Sequence, residues 1–435
     1  MRAMKNSGIA WIGEIPQEWD LRKIKFNFGI VAGATPKSGE ANYWDGDIPW
    51  VTPADYTTED VFISAGRKSI TPEGMGSCAT SLVPAGSLVF SKRAPVGLVA
   101  ISSNPLCTNQ GCLSCVPKEK VDAKYYYYVM SIYSEQFDLF ASGTTFKEIS
   151  ADAFANFKLP YPIFETQKKI AAYLDAKCAE IDALIAAKEK TNALLKERRQ
   201  SIIYEAVTNG LDPNAPMKDS GVEWIGEIPE GWDILPLKYC IKNIESGTSV
   251  NAEDRPCQND EKGVLKTSCV YSGVFDSNEN KAVLDSEYDR LSCPVKKNTV
   301  IVSRMNTADL VGACGYVDCD CDNVFLPDRL WMVSFKENCL AKYMWYFLSS
   351  RYAKSYYAST CTGTSGSMQN ISQDQFRLLT FLMPTIDEQV EIVSELDRQN
   401  EIIDTLIHTN DQEIHRLKEY RQSLIYETVT GKIIL

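Results

Sequence analysis

The chemistry-bearing residues of this chain sit in short polar stretches between apolar runs. Lys92 and Arg93 lie at a Pro/Gly break between two β-rich segments in LVPAGSLVFSKRAPVGLVAIS (82–102). A basic tip between two strands suits contact with phosphates or base edges, and equally a solvated hairpin. NTVIVSRMNTADLVGACGYV (298–317) repeats the pattern, with Arg304 in the comparable place. Asn109 and Gln110, in TNQGCLSCV (108–116), carry amides able to read an adenine edge. Gly/Thr/Ser loops at 141–150 (ASGTTFKEIS) and 361–372 (CTGTSGSMQNIS) add short donors and acceptors, which are also ordinary turn chemistry.

Catalytic sets are harder to find. Cys112 and Cys115 form a C-x-x-C pair, but a zinc site needs a second pair at fixed spacing, and Cys314, Cys319 and Cys321 do not supply a matching one. There is no GxxxxGK phosphate loop, no strand–GxG–helix cofactor loop and no Asn/Asp-Pro-Pro-aromatic tetrapeptide of an amino-methyltransferase. Both histidines, His408 and His415, fall on one helical pattern, which disfavours a Ser/His/Asp or Cys/His set. The chain reads as a binding and scaffolding protein. Its net charge of −12 contains no strongly basic block, so a nucleic-acid role must use local basic loops or a partner's positive surface. Fourteen cysteines without a secretory N-terminal pattern suggest a reducing cytoplasm, and no apolar run approaches the roughly 20 residues of a membrane span.

The elements that must position these stretches come in duplicate. LKERRQSIIYEAVT (195–208) and LKEYRQSLIYETVT (417–430) are identical at 11 of 14 positions. NSGIAWIGEIPQEWD (6–20) and DSGVEWIGEIPEGWD (219–233) match at 10 of 15 positions. The period exceeds 200 residues, so the repeat is a domain-sized unit and not a solenoid. In each copy the Trp-Ile-Gly-Glu-Ile-Pro segment predicts an apolar anchor, packed internally or docking a partner. Residues 26–65 predict loops and short strands, with turns at Thr35-Pro36, Asp45-Gly46 and Thr52-Pro53. AKYYYYVMSIYS (123–134) and AKYMWYFLSSRY (341–352) predict helices with one apolar face.

Each half closes in a long helix, with a Thr385-x-x-Glu388 capping box at the start of the second. A 4-3 register runs through Leu174, Cys178, Ile181, Ile185, Lys188, Asn192, Leu195, Arg199 and Ile202. It recurs through Leu396, Asn400, Ile403, Ile407, Asn410, Ile414, Leu417, Arg421 and Leu424. This is a coiled-coil seam with polar interruptions that hold register. The short linker within GLDPNAPMKDSG (210–221) favours antiparallel helices with the two globular domains at opposite ends.

With this plan in view, the chain resembles the DNA specificity subunit of type I restriction-modification systems. The matching residues are both anchors, GATPK…YWDGDIPWVTPADY, the TNQG stretch at 108–111, the GTT…IS and GTS…IS loops, and both helix ends. The resemblance covers essentially the whole chain. It implies an α+β fold with two tandem target-recognition domains (1–164 and 219–384). A central helix (165–209), a linker (210–218) and a distal helix (385–435) complete it, the helices forming an antiparallel coiled coil with pseudo-twofold symmetry. It further implies a non-catalytic cytoplasmic subunit whose domains each read half of a bipartite double-stranded DNA site. The implied partners are two methyltransferase subunits and the endonuclease/translocase subunits. No cofactor is expected on this chain; S-adenosylmethionine belongs to the partner methyltransferase, and ATP and Mg to the partner endonuclease.

Direct readout uses amides, hydroxyls and guanidiniums in the major groove. The candidates in the first half are Lys37, Thr52, Tyr56, Lys92, Arg93, Asn109, Gln110, Thr145 and Lys147. In the second half they are Lys266, Ser268, Arg304, Asn306, Arg329, Ser365, Ser367 and Gln369. A coiled-coil adaptor with degenerate domains that no longer read DNA is the alternative.

Overall fold

The computed structural model describes residues 2–143, 147–222, 225–365 and 368–435, with 363–365 described in their backbone alone. The chain divides into two compact units. The first comprises Met1–Lys188 with Asp411–Leu435, and the second Glu189–Asn410. Each unit thus owns one recognition domain, the first part of the helix that follows it, and the last part of the other long helix.

The first unit is built on a five-stranded sheet in the order Phe28–Ala32, Cys112–Pro117, Leu88–Ser91, Val99–Ser102 and Phe62–Ile63. Leu88–Ser91 and Val99–Ser102 are buried at every position. Both faces are covered, which explains their unbroken apolar character. A second sheet places Trp44–Val51 between Lys68–Ile70 and the parallel strand Cys107–Thr108. The Asp45-Gly46 turn is not observed. Both residues lie inside Trp44–Val51 at a register irregularity, where Asp45 takes φ 59°. The physical cause is a bulge, which absorbs left-handed backbone without reversing the chain.

The second unit repeats the central sheet with strands Ile241–Ser246, Leu330–Phe335, Thr299–Ser303 and Cys314–Val317 in that order. Its accessory sheet again contains a parallel pair, Gly263–Leu265 with Cys321–Phe325, and the antiparallel neighbour Asn280–Val283. Two edge strands, Ala252–Glu253 and Pro294–Val295, extend this sheet beyond its counterpart in the first unit.

The helix Ala123–Ile132 is buried on all sides at its centre, not on one face: Tyr125, Tyr126, Tyr127, Tyr128, Val129 and Met130 are all interior. Tyrosine permits this because a buried ring can hand its hydroxyl to a polar neighbour. Tyr126 OH accepts from Asn27 Nδ2 at 2.9 Å and Tyr128 OH donates to Asp175 Oδ1 at 2.9 Å. In the second unit Tyr346 OH donates to Asp397 Oδ1 at 2.7 Å. Lys124 and Lys342 bind the same two aspartates, so each domain is latched to its helix by an identical trio.

The long helices span Phe164–Asn209 and Ile386–Val429. Thr385 and Glu388 form the expected reciprocal cap, with Thr385 N–H donating to Glu388 Oε2 at 2.9 Å. Within the first unit Asp182 meets Arg421 at 3.0 Å and Lys188 meets Glu413, so the segments run antiparallel. The second unit pairs Asn192 with Asn410 at 2.9 Å and Arg199 with Asp404, again antiparallel. Leu174, Ile181, Ile185, Leu396, Ile403 and Leu424 are buried. Leu195, Ile202, Ile407 and Leu417 are half-buried. Beyond Ile202 the burial passes to Ile203, Ala206 and Val207, which share a core with Ile392, Val393 and Leu396 of the other long helix and with the globular domain.

The two repeated motifs meet each other crosswise. Ile12, Ile15 and Trp19 pack with Ile425 and Val429, and Tyr426 OH donates to Ile12 O at 3.0 Å. Ile228 and Trp232 pack with Ile203 and Val207. Each anchor is therefore internal packing against a helix end, as Trp19 and Trp232 at 1% exposure require; Trp224 lies outside the described residues.

Candidate nucleic-acid interface

A polar edge of the first unit is assembled from three segments around the Lys92-Arg93 tip. Backbone bonds tie the Lys92-Arg93 tip to the other two: Lys92 N–H donates to Gly111 O at 2.9 Å, and Ile149 N–H donates to Lys92 O at 3.0 Å. Arg93 and Glu148 form a bridge, and so do Ser142 and Glu148. The Glu148 carboxylate receives both cations, Lys92 Nζ on Oε1 and Arg93 Nε on Oε2, each at 2.8 Å. The hydrogen bond from Lys92 holds this carboxyl below its ordinary range; partial desolvation opposes the shift and Arg93 reinforces it.

A fourth segment joins through Gly33. A Cβ there would overlap the carbonyl oxygens of Thr108 and Asn109, so the loop carrying Thr35 and Lys37 can lie against the 108–111 loop only with glycine at this point. Thr35 Oγ1 donates to Gln110 Oε1, and Gly111 N–H donates to Asn109 Oδ1 at 2.9 Å. Both amide oxygens are thus occupied on one lone pair, which leaves the NH₂ groups as the more available face. Lys37 is exposed, and its ammonium has no partner among the described residues.

The second unit builds the same edge with the same backbone bonds. Arg304 N–H donates to Arg329 O at 3.1 Å, and Ile371 N–H donates to Arg304 O at 2.9 Å. Met305–Asn306, Met368–Asn370 and Thr362–Ser365 form a three-stranded sheet here, in which Asn306 pairs with Gln369. Arg304 Nε donates to the Asp328 carbonyl at 2.7 Å, and Asn306 Nδ2 to Tyr271 OH at 2.8 Å. Lys266 and Ser268 converge on Glu279, at 3.1 and 2.5 Å. The bond from Ser268, then that from Lys266, holds the Glu279 carboxyl low. Arg329 is exposed, with no side-chain partner among the described residues.

The candidates divide accordingly. Lys92, Arg93, Asn109, Gln110 and Lys37 converge on one edge, as do Arg304, Asn306, Arg329 and Gln369 on the other. Tyr56 does not belong with them. It is 3% exposed, packs in a small core with Val51 and Val89, and lies 3.8 Å from Cys112 Sγ; burial pushes its hydroxyl pKa far up. An apolar ring between two packed sheets cannot reach solvent, so it is a core residue. Thr52 is spent locally: its hydroxyl donates to Asp55 Oδ2 at 2.7 Å in a capping box at the start of the turn Pro53–Asp55. Lys147 pairs with Asp138 at 2.5 Å. Thr145 and Ser367 lie outside the described residues, as does the side chain of Ser365.

Glu148 and Gln167 are absent from the sequence candidates. Glu148 stands 55 residues from Arg93 in the chain, so no local pattern links it to the basic tip. Gln167 lies in the first turn of the long helix Phe164–Asn209. It is fully buried, accepts from Asp122 N–H at 2.9 Å and donates to Pro162 O at 2.9 Å. Gln389 repeats this, with Leu340 N–H at 2.8 Å and Pro384 O at 3.1 Å. The signal that could have found both was the identical glutamine at the same place in each helix.

Cys112 and Cys115 are buried on one strand. Desolvation pushes the Cys112 thiol up to about 12 and Cys115 further. Among the described residues no group of three or more His, Cys, Asp or Glu side chains is arranged to hold a metal ion. No helix among them is long and apolar enough to cross a membrane.

Two recognition domains, each presenting a polar edge and each latched to long antiparallel helical segments, define a tandem-domain binding protein. The family model for the type I restriction modification DNA specificity domain matches twice, over residues 16–196 and 229–416, and the chain belongs to that family. It is 34% identical over 277 residues to the type I restriction enzyme MjaIX specificity subunit of Methanocaldococcus jannaschii; that alignment covers 61% of this chain and 62% of the relative, less than two thirds of its length. The EcoKI specificity subunit of Escherichia coli strain K12 is 23% identical over 97% of this chain and 90% of its own. A chain from a solved type I R-M system superposes with TM-score 0.72 over 96% of this chain and 99% of its own, at 13% identity. The HsdS subunit from Thermoanaerobacter tengcongensis superposes with TM-score 0.52 over 96% of this chain and 98% of its own, also at 13% identity. These two likenesses concern the fold.

Proposed function

We propose that this chain selects the DNA site of a type I restriction-modification complex, each unit reading one half of a bipartite duplex sequence. The observation that carries the reading is the repeated edge. The same pair of backbone bonds, through Lys92 in one unit and Arg304 in the other, presents different side chains outward. A shared frame with divergent polar tips is what two readers of unlike half-sites need. The long helices, at 46 and 44 residues, set the spacer and offer the platform for two methyltransferase subunits; endonuclease subunits join for cleavage. The chain itself performs no catalysis, and S-adenosylmethionine, ATP and Mg act in the partners.

Single-molecule methylome sequencing tests this in a host expressing the chain with its methyltransferase. The expected result is adenine methylation at one bipartite motif, absent when either protein is omitted. Methylation without this chain, or at a motif that ignores it, overturns the reading. One observation favours the adaptor alternative: carboxylates already engage Lys92, Arg93 and Lys266, with Glu148 shared between the first two. If replacing Lys92 and Arg93 leaves both the affinity of the complex for DNA and its salt slope unchanged, the adaptor reading gains.

A further inference from the structure

The Glu148 carboxylate stands where a reader of an anionic polymer should not want one. It bridges Lys92 and Arg93 within the edge that must face DNA, and 34% of its side chain remains exposed. Structural need alone does not call for it, because the backbone already sews this tip at Lys92, Gly111 and Ile149. Its effect on the two cations is specific. Lys92 is drawn down to 15% side-chain exposure. Arg93 stays 46% exposed and is held through Nε alone. Its two terminal nitrogens have no partner among the described residues. Those nitrogens form the fork that binds O6 and N7 of guanine in the major groove. An unpinned arginine at a hairpin tip would settle on the nearest phosphate, a contact that positions but does not specify.

We propose that Glu148 is a specificity-positioning residue of the first unit: it pins Arg93 by Nε, keeps phosphate off the tip and leaves the guanidinium fork to read a guanine. This rests on the DNA-reading function above and adds a base identity to it. Pinning also lowers the rotamer entropy that binding must otherwise take from the side chain. The second unit shows the same economy by a neutral route, since Arg304 is held by Nε on the Asp328 carbonyl.

The test uses the full chain assembled with its methyltransferase, comparing wild type, Glu148→Gln, Glu148→Asp and Arg93→Ala by methylome sequencing and by DNA affinity against salt. The wild-type half-site altered by Arg93→Ala should contain a guanine at the affected position. In Glu148→Gln, discrimination at that guanine should fall by about tenfold, while affinity for unrelated DNA rises. The slope of log affinity against log salt should steepen by about one, the mark of a new phosphate contact. The other half-site, read by the second unit, should not change. Glu148→Asp, with its charge kept but drawn back by one methylene, should fall between the two. If Glu148→Gln does not assemble, Glu148→Asp decides alone by the same measures. An unchanged half-site and salt slope in the Glu148 variants, with Arg93→Ala still relaxing the half-site, overturns the role of Glu148 alone. If Arg93→Ala also changes nothing, the reading of this edge as a DNA contact fails with it.

Discussion

The two units solve one backbone problem and diverge in what they hang on it. Their central sheets have the same four strands in the same order, and their accessory sheets share one parallel pair and one antiparallel neighbour. Gly33 and Gly247 stand at the same crossing; a Cβ at either would overlap a facing carbonyl oxygen, of Asn109 in one unit and Leu326 in the other. Gln167 and Gln389 close the same helix start. The edges differ. The first unit fixes two cations on one carboxylate, whereas the second uses Arg304 on a carbonyl, an exposed Arg329 and paired strands that carry Asn306 and Gln369. Close backbone approach and buried amides tolerate no variation, so they stay alike. Outward side chains bear no such constraint and are free to specify different ligands.

The largest expected effect tests the shared frame. Gly33→Val and Gly247→Val should each destabilise by roughly 3 kcal/mol or more, because a backbone oxygen cannot move aside as a flexible side chain would. Urea unfolding measures both, and tolerance of one but not the other would break the equivalence. Gln167→Ala and Gln389→Ala come next, at about 2–3 kcal/mol each, since each leaves a buried N–H and carbonyl without a partner. The double substitution Lys92→Ala, Arg93→Ala and the single Arg329→Ala should each cost the assembled complex about 1–3 kcal/mol in DNA affinity and relax different half-sites. Relaxation of the same half-site by both would refute the division of labour.

Smaller effects sharpen the picture. Asp175→Asn and Asp397→Asn should cost about 0.5–1 kcal/mol each, since both latches are partly solvated. The last prediction concerns acid. Glu148 and Glu279 titrate below their ordinary values in the folded chain, so their contribution to stability is complete above the unfolded carboxyl pKa. It disappears as pH falls through the lowered folded value. Glu148→Gln should therefore flatten the acid limb of the stability profile slightly. An unaltered profile would mean that the ion pair adds nothing to folding.

Much of this protein could be read from the chain alone. The duplication, the α+β class, the helix seam with its Asn192 and Asn410 interruptions, and the Thr385–Glu388 cap are local or periodic signals. Period and capping follow from backbone geometry that each short stretch meets by itself. The basic tips and the 108–111 loop were likewise visible, because residue type and turn chemistry mark an exposed edge. Tertiary structure alone decided which candidates share that edge, since segments more than 50 residues apart meet only through sheet pairing. It put Tyr56 in a core between two sheets and brought Glu148 across to Lys92 and Arg93. It also paired the first anchor with a helix end more than 400 residues from it, while the second anchor meets the helix end that just precedes it in the chain. Those contacts depend on burial and long-range registry, and no local pattern encodes which distant partner will complete them.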